Sequence, residues 1–427
     1  MGWIVKLSTI IKDVRAGLAI DTRAERTIEV TVITEGGGIG VSSAPRGAPL
    51  SRGVFEAPSY PPGGVFQAIK IVNEEIAPKL RGLDAKDQEY IDSLLREIDG
   101  TPNFARIGGN TATVISIAVA KAAANTLGLP LYRYLGTPFS TTLTVPLANL
   151  LGGGPHARYG VAPDFQEHQL VPVNCKSMQD VIDSCILAYQ KIREKCERID
   201  PNWTGGKDDE GAWVPNITDW QALEILTEVA DEVKDEIGIK MLLGLDCAAE
   251  GLWNKEKRVY VYKREGKERT REEQIEYICR LLDTFPIYHV EDIAESNDFE
   301  AFAEINKRYG HKVLIDGDDL IACNLERLKK AVEMKACNSF IVKVNMTGTL
   351  TDTYRVVEFA HRHGITPIKS CRSGETEDTV IADLAVAWGC PLNKFAFAEK
   401  GAPKMNRLLQ IERELGKKAK MPKLPLI

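Results

Sequence analysis

The sequence predicts an α/β protein, a modified TIM-type (β/α)8 barrel preceded by a small α+β capping domain. Three observations carry that prediction. Residues 1–135 read as strands followed by helices, the order of an α+β unit. From Thr141 onward short apolar runs alternate with longer helical stretches, and the later runs recur about every 25 to 30 residues, the size of one βα unit. Eight such runs are present, enough to close a barrel. The boundaries are read as 1–135 for the cap and 136–427 for the barrel that carries the active site.

In chain order, residues 3–34 read as strands. Thr27-Ile-Glu-Val-Thr-Val-Ile33 alternates polar and apolar, as a half-buried antiparallel strand does. Gly36-Gly-Gly38 makes a turn, and the Pro-, Gly- and Ser-rich residues 43–64 form a long functional loop. Helical periodicity begins at Val65, with Ala68, Ile69, Val72 and Ile76 on one face. It continues through Glu89–Ile98 and the alanine-rich, buried Ala112–Thr126. The barrel strands are read at Leu143–Leu151, His168–Val173, Lys240–Leu245, Ile287–Val290, Lys312–Ile315, Phe340–Val344, Ile365–Ile368 and Phe395–Phe397. A helix is expected over Thr351–His363, and another immediately after Arg372-Ser373-Gly374.

Composition narrows the function. Hydrophobic content of 44% and charged content of 27% are those of a globular protein with a sizeable core. A net charge of −6 argues against nucleic acid as a partner, because phosphate backbones require a basic face. The nine cysteines contain no CxxC pair, so neither a zinc framework nor a disulfide scaffold is expected. A reducing, cytoplasmic compartment follows. Met-Gly-Trp-Ile-Val-Lys has no secretion-signal pattern. The apolar runs are strand-sized, so no membrane span is expected.

In a barrel, chemistry sits where strands end. The run 240–245 ends in Asp246, the run 287–290 in Glu291 and Asp292, and the run 312–315 is followed by Asp316, Asp318 and Asp319. A single strand-end Asp reads as a helix cap. Three successive strands delivering carboxylates to one rim favour a cation among them, since like charges otherwise raise each other's pKa. Oxygen-only ligands suit Mg²⁺ better than zinc. Lys343, set in an apolar run, reads either as a general base or as an ion-pair partner for the rim. Arg372 and Ser373 suit a phosphate or carboxylate at a helix start. The same place reads equally as an N-cap with Glu375 and Glu377 in the first turn. His156, Gln166, Glu167 and Glu210 lie in or beside loops, and composition alone does not select them.

The motifs together resemble those of the enolase family over nearly the whole chain. Ser370-Cys-Arg-Ser-Gly-Glu-Thr-Glu-Asp-Thr379 is similar to the enolase signature. Asn149-Leu-Leu-Gly-Gly-Gly-Pro-His-Ala157, Gln166-Glu167 and Asp209-Glu-Gly211 resemble its loops. Gly244-Leu-Asp-Cys-Ala248, Val290-Glu-Asp292, Gly317-Asp-Asp-Leu320 and Val342-Lys-Val-Asn345 resemble its metal and base strands, and Leu408–Gly416 its C-terminal helix. The resemblance implies interconversion of 2-phosphoglycerate and phosphoenolpyruvate with two Mg²⁺ per site. It implies Asp246, Glu291 and Asp318 as ligands of the first metal and Ser51 as the nearest candidate for the second. Lys343 becomes the base and Glu210 the acid, with Glu167 beside it. Gln166, Arg372, Ser373, His156 and Lys394 fall on the substrate, and a homodimer or larger homo-oligomer is expected.

Several departures fall in the site. Cys371 stands where the family has histidine, and a thiol is smaller and carries no positive charge. The loop Ser43–Tyr60 brings Arg46 and Arg52, and anchoring it on Gly-Ala puts Pro49 rather than Ser51 at the metal-binding serine. Ile293 replaces a proline, and Asp21–Thr27 lacks the usual Gly-Asn-Pro turn. Lys394 and Lys400 compete for the role of second lysine. Three readings follow: an enolase, an enolase-like enzyme acting on another carboxylate or phospho-carboxylate, and a catalytically impaired binding protein. Retention of Asp246, Glu291, Asp318, Lys343 and Glu210 favours an enzyme.

Overall fold

The computed structural model describes residues 7–47, 56–157 and 160–427. They divide into two units: Met1–Ser140 with Val342–Phe359 and Cys371–Trp388, and Thr141–Ile341 with Ala360–Ser370 and Gly389–Ile427. Ser51 lies outside the described residues.

In the first unit, β1 (Ile11–Ile20), β2 (Arg26–Thr34) and β3 (Ile39–Ser43) form an antiparallel sheet in that order. The alternation read over β2 is real, since Ile28, Val30 and Val32 are fully buried. β3 inverts the usual pattern: Ile39 and Val41 are exposed while Gly40 and Ser42 face inward. The cause is the helix Gly109–Thr126, whose backbone at Ala118 and Ala122 would overlap a Cβ on Gly40. Only a residue without a side chain allows that approach. The first helix, Gly64–Ile71, runs through a π turn at Val72–Ile76 into Ala77–Leu80. It buries Ala68, Val72 and Ile76, with Ile69 partly buried.

Two later segments complete this unit. Leu350–Arg362 is a helix, as expected within a residue at each end, and its first turn is tied down by long-range partners. Leu350 N–H donates to Ser116 Oγ at 3.0 Å, Thr351 N–H to Asp92 Oδ2 at 3.0 Å, and Arg96 Nε to Asp352 Oδ2 at 2.7 Å. Asp378 accepts from Lys121 Nζ at 2.6 Å and Ser42 Oγ at 2.8 Å.

The second unit is built on a nine-stranded sheet. Its strands are β4 (Val145–Pro146), β5 (Ala148–Gly152), β6 (Glu167–Pro172), β7 (Met241–Asp246), β11 (Ile287–Glu291), β12 (Leu314–Asp316), β13 (Ser339–Val342), β14 (Thr366–Ser370) and β15 (Leu392–Lys394). The numbers β8 (Trp253–Asn254), β9 (Val259–Tyr262) and β10 (Lys267–Arg269) belong to a separate antiparallel sheet inserted after β7. The order β4-β15-β14-β13-β12-β11-β7-β6-β5 begins and ends on strands separated by Leu147 alone, which brings the sheet back on itself as a barrel. It departs from an all-parallel barrel at β6, which is antiparallel to both β5 and β7.

Three expectations are corrected. The run Leu143–Leu151 is two strands rather than one. The last strand is Leu392–Lys394, not Phe395–Phe397: Leu392 to Lys394 pair with Ile368 to Ser370, and Ala396 then turns to φ +62°, which ends extension. No helix starts at Gly374; the next begins at Val380. The 371–379 segment instead docks on the first unit, with Thr22 N–H donating to Glu375 O and Arg46 N–H to Gly374 O, both at 2.8 Å. Glu375 and Glu377 are therefore not first-turn acids.

Candidate active site

Sheet register assembles the site in the barrel unit. Glu167 pairs with Asp246, Asp246 with Glu291, and Glu291 with Asp316. Register partners on neighbouring strands project to the same side of a sheet, so four carboxylates form one row. All four are buried. Three of them share one cation in this structure, Lys394, at the end of β15. Its Nζ lies 2.5 Å from Asp246, 2.8 Å from Glu291 and 3.1 Å from Glu167. Burial opposes charge on Lys394, but Asp246, Glu167 and Glu291 outweigh it and hold its pKa well above the usual lysine value.

The row continues into further carboxylates. Asp246 and Glu291 group with Asp292, and Asp292 groups in turn with Asp318 and Asp319, ligand atoms within each group lying within 4.8 Å. Asp292 is held in the left-handed region at φ +47°, and its carboxylate accepts Asp319 N–H at 3.0 Å. Burial, followed by repulsion from Asp246, lifts the Glu291 carboxyl well above its usual range. Burial, followed by Asp319 and Asp318, does the same to Asp292. Glu291 Oε1 has no hydrogen-bond donor among the described residues. Buried oxygen donors grouped this closely fit a hard cation such as Mg²⁺. Asp246, Glu291 and Asp318 would hold it, with Asp292 bridging the two groups.

A second cluster adjoins the row. Ligand atoms of His156, Glu167 and Glu210 lie within 4.8 Å of one another. Glu210 accepts from Asn149 Nδ2 at 3.1 Å and pairs with Lys400 Nζ at 3.0 Å. Burial would raise its pKa, but Lys400, His156 and Lys394 prevail and hold it well below the usual range. Glu167 moves the other way, to about 8, through burial and then the charge of Glu210. Burial also keeps the His156 imidazole below its usual pKa, 3.7 Å from Asp209. Gln166 donates to Asp246 Oδ2 at 2.8 Å, and Gln169 to Glu167 Oε2 at 3.0 Å.

The remaining expected residues belong to the first unit. Lys343 is the residue directly after β13 and is half-buried, rather than set inside the strand. Cys371 and Arg372 follow β14 and are buried. The Arg372 guanidinium pairs with Glu56 and donates to Asn345 Oδ1 at 3.4 Å. Its backbone N–H donates to Glu375 Oε1 at 2.9 Å. Ser373 O accepts Gly47 N–H at 3.0 Å.

Sequence reasoning missed Glu56, Asn149, Gln169 and the registered position of Asp316. Asp316 could have been found by counting from the strand pairing. Glu56 lies over 300 residues from Arg372 in an irregular segment and carries no local signal.

Comparison with known proteins agrees with the architecture. A family model described as the enolase N-terminal domain matches residues 11–135, and one described as the enolase C-terminal TIM barrel domain matches residues 140–423. The chain is 45% identical over 410 residues to a protein named enolase from Methanosphaera stadtmanae, covering 96% of this chain and 98% of the relative. It is 42% identical over 410 residues to the enolase of Methanothermobacter thermautotrophicus, with the same coverage of 96% and 98%. It is 38% identical over 400 residues to that of Pyrobaculum aerophilum, covering 92% and 94%. Two domain models in the right order and near-complete alignment to these relatives place the chain in the enolase family.

Proposed function

We infer that the protein is a phosphopyruvate hydratase, a lyase interconverting 2-phosphoglycerate with phosphoenolpyruvate and water in glycolysis and gluconeogenesis. The observation that carries this reading is the registered row Glu167–Asp246–Glu291 gathered around Lys394, with Asp318 in the adjoining group. Such a row is organised to hold a hard cation beside a carboxylate substrate. Mg²⁺ bound there, with a second ion expected per site, supplies Lewis-acid stabilisation of negative charge developing on the substrate carboxylate.

The chain's own residues take the remaining roles. Lys343 removes the proton beside the carboxylate. Glu210 is the acid that helps the hydroxyl leave as water, with Glu167 beside it. His156 and Gln166 flank that pair. Arg372 and Ser373 hold the phosphate, which requires Arg372 to exchange Glu56 for substrate. Lys394 takes the place of second lysine, because it and not Lys400 touches Asp246 and Glu291. Ser51 completes the second metal site. Residues 1–135 serve as cap and 136–427 as catalytic barrel, in a cytoplasmic homodimer or larger homo-oligomer. No helix among the described residues is long and apolar enough to cross a membrane.

The test is absorbance-monitored turnover of 2-phosphoglycerate with Mg²⁺ and with chelator. Metal-loaded protein that leaves 2-phosphoglycerate unchanged would overturn the reading. Cys371 supports a second reading, an enzyme for another carboxylate or phospho-carboxylate. Its buried thiol cannot provide the positive charge of the family's histidine. If Cys371→His raises turnover of 2-phosphoglycerate, the substitution is a loss within one reaction. No gain, together with turnover of another acid, would establish the second reading.

A further inference from the structure

The inserted sheet β8–β10 creates a feature that the proposed reaction does not use. A cleft of about 500 Å³ is lined by Thr218, Trp220, Arg264, Glu265, Lys267, Tyr277 and Arg280. That volume lies within the usual range of small-molecule sites, about 300–1,000 Å³. Three cations and one carboxylate line it, in a chain whose net charge is −6.

The single carboxylate is already committed. Glu265 pairs with Arg269 at 2.6 Å, accepts from Tyr277 Oη at 3.1 Å and lies 3.4 Å from Lys267. Those partners hold its pKa down against the effect of burial. Neither guanidinium of the cleft's two arginines pairs with a carboxylate among the described residues. Arg264 spends Nε and Nη2 on the carbonyls of Ile217 and Asn216, both at 3.2 Å. Arg280 lies 5.4 Å from the Trp220 ring centre and 5.3 Å from that of Tyr277. Trp220 is itself fixed, its Nε1 donating to Glu224 at 2.9 Å and its ring set edge-on to Phe285. The aromatic rings thus orient the Arg280 guanidinium toward an incoming anion, and the backbone carbonyls fix that of Arg264, with Nη1 remaining.

We propose that this cleft, at Arg264, Lys267 and Arg280, is a second binding site for a small phosphorylated anion carrying at least two phosphate groups. Guanidinium forks match phosphate oxygens in pairs, and three separated cations exceed what one phosphate can engage. The site connects to the proposed catalytic residues by one hydrogen bond, ring packing and a few residues of chain. Arg264 N–H donates to Asp164 Oδ1 at 3.0 Å, and Phe165 packs on Tyr262 and Tyr277 at 5.7 and 6.1 Å. Gln166 and Glu167 are the next two residues. Occupancy would therefore bear on the segment that positions them. The site itself does not depend on the enolase reading.

The probe is inorganic pyrophosphate, titrated calorimetrically at constant ionic strength in chelator, with Trp emission followed in parallel. Arg264→Gln and Arg280→Gln should each weaken one saturable binding event by about tenfold, and the double variant should abolish it. Metal-supported turnover without pyrophosphate should stay at the wild-type level. Unaltered pyrophosphate binding in the double variant, or no saturable binding to the wild type beyond the event it shares with that variant, would overturn the proposal. Citrate binding as tightly as pyrophosphate would overturn the phosphate assignment. If Arg264→Gln does not fold, Arg280→Gln alone decides, because the Arg280 side chain is exposed and rests only on the Trp220 and Tyr277 rings.

Discussion

Lys394→Met tests whether a protein cation stands in for metal at the carboxylate row. Lys394 is 5% exposed and within 3.1 Å of three buried carboxylates. Methionine keeps the length and apolar stem of the side chain and removes the charge. Breaking a buried ion pair from one side costs about 3–5 kcal/mol, because the partner charge stays buried and uncompensated. Three partners push the effect to the upper end. Part of it is offset because the burial that opposes charge on Lys394 is relieved. A net loss of about 3–4 kcal/mol is expected in chelator, read from urea unfolding followed by far-ultraviolet circular dichroism. Saturating Mg²⁺ should recover most of that loss, since a divalent ion at Asp246 and Glu291 performs the same neutralisation. A loss below about 1 kcal/mol in chelator, or an equal loss with and without Mg²⁺, would refute the reasoning.

Three further outcomes are expected. Lys343→Ala should lower turnover of 2-phosphoglycerate by about 10²–10⁴-fold without altering calorimetric Mg²⁺ binding; full turnover would remove Lys343 from the base role. Gly40→Ala should destabilise the first unit by about 3 kcal/mol, because its methyl meets the backbone of Ala118 and Ala122, and a wild-type urea midpoint would contradict the packing. Asp378→Ala should cost about 3 kcal/mol at neutral pH by stranding Lys121. Burial raises the Asp378 pKa, but Lys121 and its hydrogen bonds bring the net value below 3.8. The folded state therefore binds its proton less readily than the unfolded state. The stability Asp378 confers is complete above that range and lost as pH falls through it. The difference between wild type and variant should shrink on acidification below about pH 4 in pH-resolved urea unfolding, and a constant difference would exclude the pair as its cause.

Much of the site was legible because carboxylates at strand ends are a local signal. Asp246 and Glu291 follow directly from apolar runs that end abruptly. Register is not local. Nothing in Leu314-Ile-Asp316 says that Asp316, rather than Asp318, continues the row from Glu291, since that depends on how β12 slides against β11. The antiparallel β6 reads from sequence as one more apolar run, yet its reversed direction puts Glu167 at its first residue opposite Asp246. The helix expected at Gly374 fails for a related reason. Its caps and acids are helical signals, but backbone hydrogen bonds to Thr22, Arg46 and Gly47 compete successfully for the same segment. The end of the last strand is likewise set by backbone conformation, since the positive φ at Ala396 ends extension and leaves Lys394 as the final residue of β15.

The composition of the first unit bears on how the protein is made. Its first 140 residues emerge early from the ribosome, yet Asp92, Ser116 and Lys121 find partners in Thr351, Leu350 and Asp378, about 250 residues downstream. At about 5–20 residues per second, roughly 10–50 s separate synthesis of the first segment from arrival of the last. During that interval Asp92 and Ser116, both almost fully buried in the finished protein, lack the segment that covers them. The N-terminal sheet and helices are consequently an unfinished module for much of translation. Their final closure waits on the same stretch of chain that carries Lys343, Cys371 and Arg372, so a nascent protein truncated before that stretch lacks both those residues and the last wall of its first unit.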